Sequence, residues 1–512
     1  MSLQRAPCGH QEWALFDAPA TRAIEAIEAT TLAPHALMQR AGVAVARLAL
    51  ALAPHARRVW IAAGPGNNGG DGLEAALHLL RQGWQVDVTL MGAAAALPPD
   101  AAHALARAVA AGVRINPTER AALAPGDIAI DALLGMGATR APHGALAETI
   151  HTLNALGARG TCPVLAVDLP SGLQGSTGNP LGTACVVATH TLALLTLKPG
   201  LFTGAGRDHA GAVWFDALGS DAAARAGPAP TAWLSGVPPF SARQRARRHA
   251  QHKGSFGDVA VIGGAPGMTG AALLAARAAH AAGAGRVFVQ LLQGARSALG
   301  ADPQRPELMF RADWSHSEPA ILARSTVVCG CGGGAVVREF MPRLLRLAHR
   351  MVLDADALNA VAADPTLAAL LCARAERGLA SVLTPHPLEA ARLLGVSTAA
   401  VQSDRLHAAQ ALAHRYRSVV VLKGSGSVIA APQGIARINA TGNAALASPG
   451  TGDVLAGWLA GLWAQAGEGE HAAAVAARAV AEHGAAADPV RAGCLRAADL
   501  IEALHRQAGW PG

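Results

Sequence analysis

Short apolar runs alternate with Ala-rich stretches of helical length along most of the sequence, and nearly every run ends at Gly, Asp or Pro. That alternation is the pattern of βαβ units. Their crossovers force a parallel sheet with helices on its faces. In the first half the runs "RVWIAA", "QVDVTLM", "DIAIDALL", "PVLAVDLP" and "ATHTLALLT" predict strands. The stretch "GSDAAARAGPAPTAWLSGVPPFSARQRARRHA" then loses the period and reads as a linker. Beyond it the alternation restarts with "DVAVIGG", "RVFVQLL", "STVVCG", "MVLDADAL", "ASVLTPH" and "SVVVLKG". The expectation is two α/β domains in tandem, residues 1–225 and 226–512. A chain of 512 residues is long enough for two large domains. No short repeat is visible.

Composition bounds the class. With 51% apolar and 15% charged residues the chain can bury sizeable cores. The opening "MSLQRAPCGHQEWALF" lacks the basic-then-apolar plan of a signal peptide, and "GVAVARLALALA" is short and interrupted by Arg47. A cytoplasmic protein with no membrane role is expected. The seven Cys are scattered without a CxxC or Cys/His ligand set, so reduced thiols are expected and zinc is not. The net charge of +7 is dispersed except in Arg243 to Lys253, which reads as a solvated domain entry. Nucleic acid is not expected, since phosphate-bearing small ligands account for a mild positive balance equally well. Of 42 Lys plus Arg only Lys198, Lys253 and Lys423 are lysine. A compact ammonium is not interchangeable with a planar guanidinium. Each of the three lies beside a Gly-containing segment ("LKPG", "HKGSFG", "LKGSGS"), which marks them as candidate special positions.

Three strand ends in the first half are Gly-bearing and acidic. "AAGPGNNGGDGLEAALHLL" breaks a strand ending at Ala63 and predicts a turn followed by a helix from Leu73. "DIAIDALLGMGATR" carries Asp131, and "PVLAVDLPSG" carries Asp168 and Ser171. Carboxyl ends of neighbouring parallel strands converge on one crevice, so Asn68, Asp71, Asp131 and Asp168 are expected to meet there. Glycines let a backbone approach a ligand, and a helix start attracts anions. A lone Gly-rich turn capped by Asp71 would be the ordinary alternative.

In that order and spacing these turns resemble the NAD(P)HX epimerase domain, a Rossmann-like three-layer fold, over about residues 10 to 218. The resemblance implies that Asn67, Asn68, Gly69, Gly70 and Asp71 wrap the hydrated nicotinamide nucleotide, together with Gly135, Met136, Gly137, Ala138, Thr139 and Arg140. It implies a potassium ion on Asn68, Asp131 and Ser171, and Asp168 as the acid/base that contacts substrate. The same fold also serves as a non-catalytic module in mRNA-decapping scaffolds. The retained Asp168 favours the enzyme.

In the second half "SPGTGDVLAGWLAG" places Gly450 and Gly452 at the start of an apolar helix with Asp453 in its first turn. Bare N–H groups beside a carboxylate suit phosphoryl transfer to a hydroxyl, where charge must be stabilised and a proton accepted. An ordinary helix start with an acidic first turn has the same look. The motif resembles the GxGD of ribokinase-like kinases. With "HKGSFGDVAVIGGAPGMTGAALLAARAAHAAGAGRV", "VVCGCGGG", "LDADALN", "LTPHPLEAARLLG" and "VLKGSGSV" it follows the order of the ADP/ATP-dependent NAD(P)HX dehydratase, over about residues 230 to 505. That resemblance implies nucleotide on Lys423, Gly424, Ser425, Gly426, Ser427 and Gly452, and substrate on Ala272, Gly332, His386 and Asp453, with ADP or ATP and Mg²⁺. The choice of Ala272 is open by one position. His386, between two prolines, has the surroundings of a packed loop histidine, and only the neighbouring motifs bring it forward. Two departures stand out. "GCGGG" replaces the usual Gly-Pro-Gly-Leu-Gly, and "TGNAALASPGTGD" lacks the Pro usual after Gly-Asn; altered loop stiffness is expected. The implied protein is a homo-oligomeric repair enzyme that epimerises R- and S-NAD(P)HX and dehydrates the S form. A ribokinase-like small-molecule kinase with a nucleotide-binding first domain is the alternative, and a nucleotide-sensing or RNA-associated scaffold a more distant one.

Overall fold

The computed structural model describes all residues except 1–2, 8–10, 117–121, 222–226, 237–246, 294–298, 468–469, 491–492 and 510–512. The chain forms two compact units, Met1–Cys8 with Trp13–Leu234, and Gly9–Glu12 with Ser235–Gly512. The expected boundary at 225/226 lies outside the described residues, as does part of the basic run from Arg243.

The strands of the first unit are β1 (Gln4–Arg5), β2 (Trp13–Leu15), β3 (Arg58–Ala63), β4 (Gln85–Leu90), β5 (Arg114–Ile115), β6 (Ile128–Ala132), β7 (Val164–Val167), β8 (His190–Leu194), β9 (Ala212–Asp216) and β10 (Ala232–Ser235). The sheet order is β1-β9-β8-β7-β6-β3-β4-β5, parallel throughout except for β1 at its edge. Chain order reverses between β3 and β6, so the crevice at their carboxyl ends is the topological switch point. The period of two sorts side chains to two faces. Val59, Ile61 and Ala63 join one core, whereas Trp60 and Ala62 join the other. This is the expected three-layer α/β arrangement. Two local readings differ. The helix expected from Leu73 starts at Asn67, with Gly66 as N-cap. Asn-Asn-Gly-Gly is a poor helix former, but packing overrides propensity here. A Cβ on Gly69 would stand 2.0 Å from Gly64 O, and one on Gly70 2.5 Å from Met38 Cε, so this first turn is seated by close approach. Within the expected linker, "AWLS" forms β10, which pairs antiparallel with β2.

The second unit contains β11 (Asp258–Gly263), β12 (Arg286–Leu291), β13 (Met309–Phe310), β14 (Ser325–Cys329), β15 (Arg350–Leu353), β16 (Ser381–Leu383), β17 (Val419–Leu422), β18 (Val428–Ala430) and β19 (Arg437–Asn439). Their order is β13-β12-β11-β14-β15-β16-β17-β18-β19, parallel up to β17 and antiparallel after it. The helices Thr269–Ala281 and Thr451–Ala464 pack backbone to backbone in its core. A Cβ on Gly457 would lie 2.0 Å from Ala275 O, and one on Gly461 2.4 Å from Ala279 O. This seam fixes the start of the Thr451–Ala464 helix, where Asp453 sits.

Candidate functional site

In the first unit a cleft of about 830 Å³ opens at the switch point. Its floor comes from the ends of β3, β6, β7 and β8, and part of its wall from the Ala18–Ala29 and Ala36–Leu52 helices. The strand ends crowd together because Gly64 has no side chain; a Cβ there would lie 1.7 Å from Leu133 O. Gly66, Asn67, Asn68 and Asp71 line the cleft, so the amino end of the Asn67–Arg81 helix and its unpaired N–H groups face a ligand. Gly135, Met136, Gly137 and Ala138 line it as well. Thr139 and Arg140 are exposed and stay outside the lining, while Gly69 and Gly70 are buried in helix packing. Those four residues, expected to touch substrate, do not reach the cleft. Nor does Asp71 cap the helix, since it lies in the second turn.

Asp168 ends β7 in the left-handed region, at φ +65°, a strained conformation for a non-glycine residue. Lys198 fixes it. The buried Lys198 ammonium donates to Asp168 and, at 2.9 Å each, to Leu194 O and Thr196 O. Glu25 and Asp71 face the same cleft. Burial, then the charges of Asp168 and Glu25, push the Asp71 carboxyl well above the usual range. Withdrawal from solvent raises Glu25 too, against the opposing charge of Lys198. The cleft thus sets an ion-paired carboxylate beside a carboxyl whose ionisation burial disfavours.

Asp131 and Ser171 lie beneath the cleft floor, fully buried. Asp131 Oδ1 accepts from Ser171 Oγ at 2.6 Å, and Oδ2 accepts from Ser171 N at 2.8 Å. Burial lifts the Asp131 carboxyl to about 6 despite these bonds. None of the groups that set it is cationic. The Asn68 amide nitrogen is buried with no hydrogen-bond partner among the described residues. A buried carboxylate with no cationic group among its neighbours, beside the Ser171 hydroxyl, suits a hard cation.

In the second unit the polar groups gather at the end of β15. Buried Asp354 accepts from Lys423 Nζ at 2.6 Å and from Thr384 Oγ1 at 2.8 Å. Lys423 leaves the end of β17, and a Cβ on Gly452 would sit 3.3 Å from its ammonium. The Thr451–Ala464 helix is entered through Gly450 at φ +85°, which turns the first N–H groups and Asp453 toward this cluster. Ligating atoms of Cys331, Asp354 and Asp453 lie within 4.8 Å of one another. Burial, then the charge of Asp354, raise Asp453 to about 7; the Cys331 thiol and Lys423 pull the other way. The Gly424–Ser427 turn rests on buried Arg405. Its guanidinium donates to Leu422 O and Lys423 O and would sit 3.0 Å from a Cβ on Gly424.

His386 is the N-cap of the Pro387–Leu394 helix. Its Nδ1 accepts from Leu388 N, and Glu389 bonds back to His386 N in a capping box. The ring stays half exposed, so the packed-loop reading is met only in part. Gly332, at φ +57°, lies against Met268 and Ala271. Ala272 is a correction. It is fully buried against Gly264, and Ala271, partly exposed one position earlier on the helix, is the residue that faces Gly332. Sequence reasoning did not single out Asp354, Arg405, Cys331 or Glu25 as functional. Asp354 and Cys331 stood inside quoted motifs, and Arg405 and Glu25 carried no local signal.

A family described as NAD(P)H-hydrate dehydratase matches residues 259–506, and one described as YjeF-related protein N-terminus matches residues 34–200. The chain is 37% identical over 500 residues to the bifunctional NAD(P)H-hydrate repair enzyme Nnr of Escherichia coli strain K12, covering 94% of this chain and 91% of that one. It is 35% identical over 522 residues to the bifunctional NAD(P)H-hydrate repair enzyme of Leishmania braziliensis, covering 96% and 91%. Among solved structures, an ADP/ATP-dependent NAD(P)H-hydrate dehydratase from Bacillus subtilis, co-crystallised with ATP/Mg²⁺, is 28% identical with a TM-score of 0.42, covering 51% of this chain and 92% of that one.

Proposed function

The chain belongs to the family of bifunctional NAD(P)H-hydrate repair enzymes, and from that premise we propose how its two sites divide the work. The protein epimerises R- and S-NAD(P)HX and dehydrates the S form to NAD(P)H. We assign the epimerase to residues 1–225 and the dehydratase to residues 226–512, in a cytoplasmic homo-oligomer. Among the described residues no single helix is long and apolar enough to cross a membrane.

Interconverting two epimers at a carbon bearing nitrogen and hydroxyl needs a proton donor for the departing hydroxyl and an acceptor for the returning water. Asp168, paired with Lys198, is the acceptor. Asp71, whose carboxyl burial raises and which faces the same cleft, is the donor. The amino end of the Asn67–Arg81 helix and the Gly135–Ala138 turn hold the pyrophosphate. Asn68, Asp131 and Ser171 would hold potassium, whose charge would balance the buried Asp131 carboxylate.

In the dehydratase, Lys423 to Ser427 and Gly452 hold ADP or ATP, and Gly332, Ala271 and His386 border the hydrated nicotinamide. Asp453 accepts the ring-hydroxyl proton as phosphate arrives. Phosphate then leaves far more readily than hydroxide and restores the dihydronicotinamide. Magnesium suits this site as a nucleotide complex, because Cys331 is a soft ligand and Lys423 already pairs with Asp354. The observation that carries the reading is Asp453, raised to about 7 in the first turn of a helix whose N–H groups face Lys423. A base poised near neutrality beside an anion hole is what transfer to a hydroxyl requires.

The test uses the full chain with hydrated NADH, ADP and Mg²⁺, following absorbance and free phosphate. Dehydration releases one phosphate for each dihydronicotinamide formed. A stable phosphorylated product with no new chromophore would overturn the reading in favour of a kinase.

A further inference from the structure

The first cleft carries a further carboxylate, Asp100, that the reaction so far described does not use. Asp100 sits in the first turn of the Pro99–Ala110 helix, which follows β4. That turn packs on the start of the Asn67–Arg81 helix, since a Cβ on Gly70 would lie 2.9 Å from Ala101 Cα. His35, at φ +66°, stands at the N-cap of the Ala36–Leu52 helix but makes no capping bond. Its Nδ1 meets Asp100 Oδ1 at 2.5 Å, and its ring stacks on that of His103, with centroids 4.1 Å apart. His103 lies one turn beyond Asp100 on the same helix. One carboxylate oxygen is thereby held. The other has no hydrogen-bond partner among the described residues, and the side chain is half exposed in the cleft.

Strand order says what this oxygen meets. Asp168 ends β7, the helix start assigned to the pyrophosphate follows β3, and Asp100 follows β4, in a sheet that runs β7-β6-β3-β4. With the hydrated ring at Asp168 and the pyrophosphate between, the adenosine ribose falls on the β4 side. From β7 to β4 is three strand spacings, roughly 14 Å, a length that an extended dinucleotide spans. We propose that Asp100 sets the nucleotide preference of the epimerase: its free oxygen accepts from the ribose 2′-hydroxyl, and its charge repels a 2′-phosphate, so that NADHX is favoured over NADPHX.

Dinucleotide-binding folds use an acidic residue in this way, and an arginine where a 2′-phosphate must be taken. The cations near this cleft are placed elsewhere. Lys198 spends its three protons on Asp168, Leu194 O and Thr196 O. Arg22 shares a helix with Glu25, whose other charged neighbours are Lys198 and Asp168, so it belongs to the reacting end. Arg107, on the helix of Asp100, is turned to Glu74 at 3.0 Å.

This inference rests on the first unit being the epimerase, with Asp168 at its reacting end. With ADP left out dehydration does not run, and chiral chromatography follows epimerisation of R-NADHX and R-NADPHX by the full chain at about pH 8. Wild type should favour NADHX by roughly tenfold in kcat/KM, since a charge-assisted hydrogen bond is gained and a repulsion avoided. Asp100→Asn, which keeps the shape without the charge, and Asp100→Ala should each bring that ratio close to one, chiefly by lowering KM for NADPHX. The Ala variant should also raise KM for NADHX. A merely structural role would lower both substrates by one factor and leave the ratio where it was. Equal use of the two substrates by wild type, or a ratio unmoved in both variants, would overturn the proposal and leave the epimerase assignment intact. If wild type epimerised neither substrate, the assignment of the first unit would fall, and this inference with it.

Discussion

A buried ammonium is costly unless a carboxylate and further acceptors meet it, and two of the three lysines are placed at that cost. Lys198 holds strained Asp168 in the first cleft, and Lys423 holds Asp354 in the second. Scarcity of lysine made both legible in the sequence. The same reasoning overreached at Lys253, which is exposed at the start of a short 3-10 helix. Histidine gives a testable case at the same scale. His483 is buried, and its ring donates to Thr451 O at 2.9 Å, one residue from Gly452. Burial lowers its pKa from 6.5 to about 4. The unfolded chain therefore takes the proton first. Stability present above pH 6.5 should fade as pH falls toward 4, by roughly 3 kcal/mol in total at about 1.4 kcal/mol per unit. His483→Gln keeps an N–H for Thr451 O but does not titrate. The drop in unfolding free energy of the second unit between pH 7 and 5 should shrink in that variant by about 2 kcal/mol. An equal drop in both proteins would mean that other groups set the acid limit.

Elements were more legible than their ends. Each apolar run singled out as a strand holds one, but the strand often stops short of the run: "PVLAVDLP" gives only Val164–Val167, "ASVLTPH" only Ser381–Leu383, and "MVLDADAL" gives β15 only up to Leu353 and then turns into a helix. A short apolar run bounded by Gly, Asp or Pro needs no partner to be read. The start at Asn67 was hidden because two Asn and two Gly carry almost no intrinsic helix preference; what holds them is the strand end and the neighbouring helix, which are remote in sequence. β10 was hidden because its partner β2 lies more than 200 residues away in the chain. The same dependence on remote backbone makes the Gly457 seam a sharp test. Gly457→Ala forces a Cβ to 2.0 Å from Ala275 O and should cost about 3 kcal/mol or more, lowering the denaturant midpoint of the second unit. Gly270→Ala lies on the facing helix in open space at ordinary φ, and should instead stabilise by about 0.5–1 kcal/mol. Similar midpoints for the two variants would show that the helices can separate without loss.

For the molecule as a whole, each candidate site draws its polar groups from one unit, so single changes should divide the two activities. In the sequence the turns that build each site were legible, because Gly and Asp at strand ends leave a local mark. The through-space partners, Lys423 with Asp354 and Asp168 with Lys198, were not, because strand order alone brings them together. Asp453→Asn preserves shape but removes the proposed base, and a positioned base is worth about 10²–10⁴-fold in rate. That variant should bind ADP nearly normally and fail to make NADH from the S epimer while still interconverting R and S. Asp168→Asn should repair S at the usual rate and consume R only as fast as it epimerises unaided. Because Asn leaves the buried Lys198 charge without a partner, at a cost of about 3–5 kcal/mol, unfolding of the first unit must be recorded beside the rates. Chiral chromatography of the epimers together with absorbance follows both steps at once. The Asp453→Asn protein also isolates the cation, because epimerisation is then the only reaction running. Replacing potassium with tetramethylammonium should slow it, whereas an unchanged rate would remove the ion from the site of Asn68, Asp131 and Ser171. If either Asp variant lost both activities while folded, the two reactions would have to share a group, and the division of roles between the units would fail.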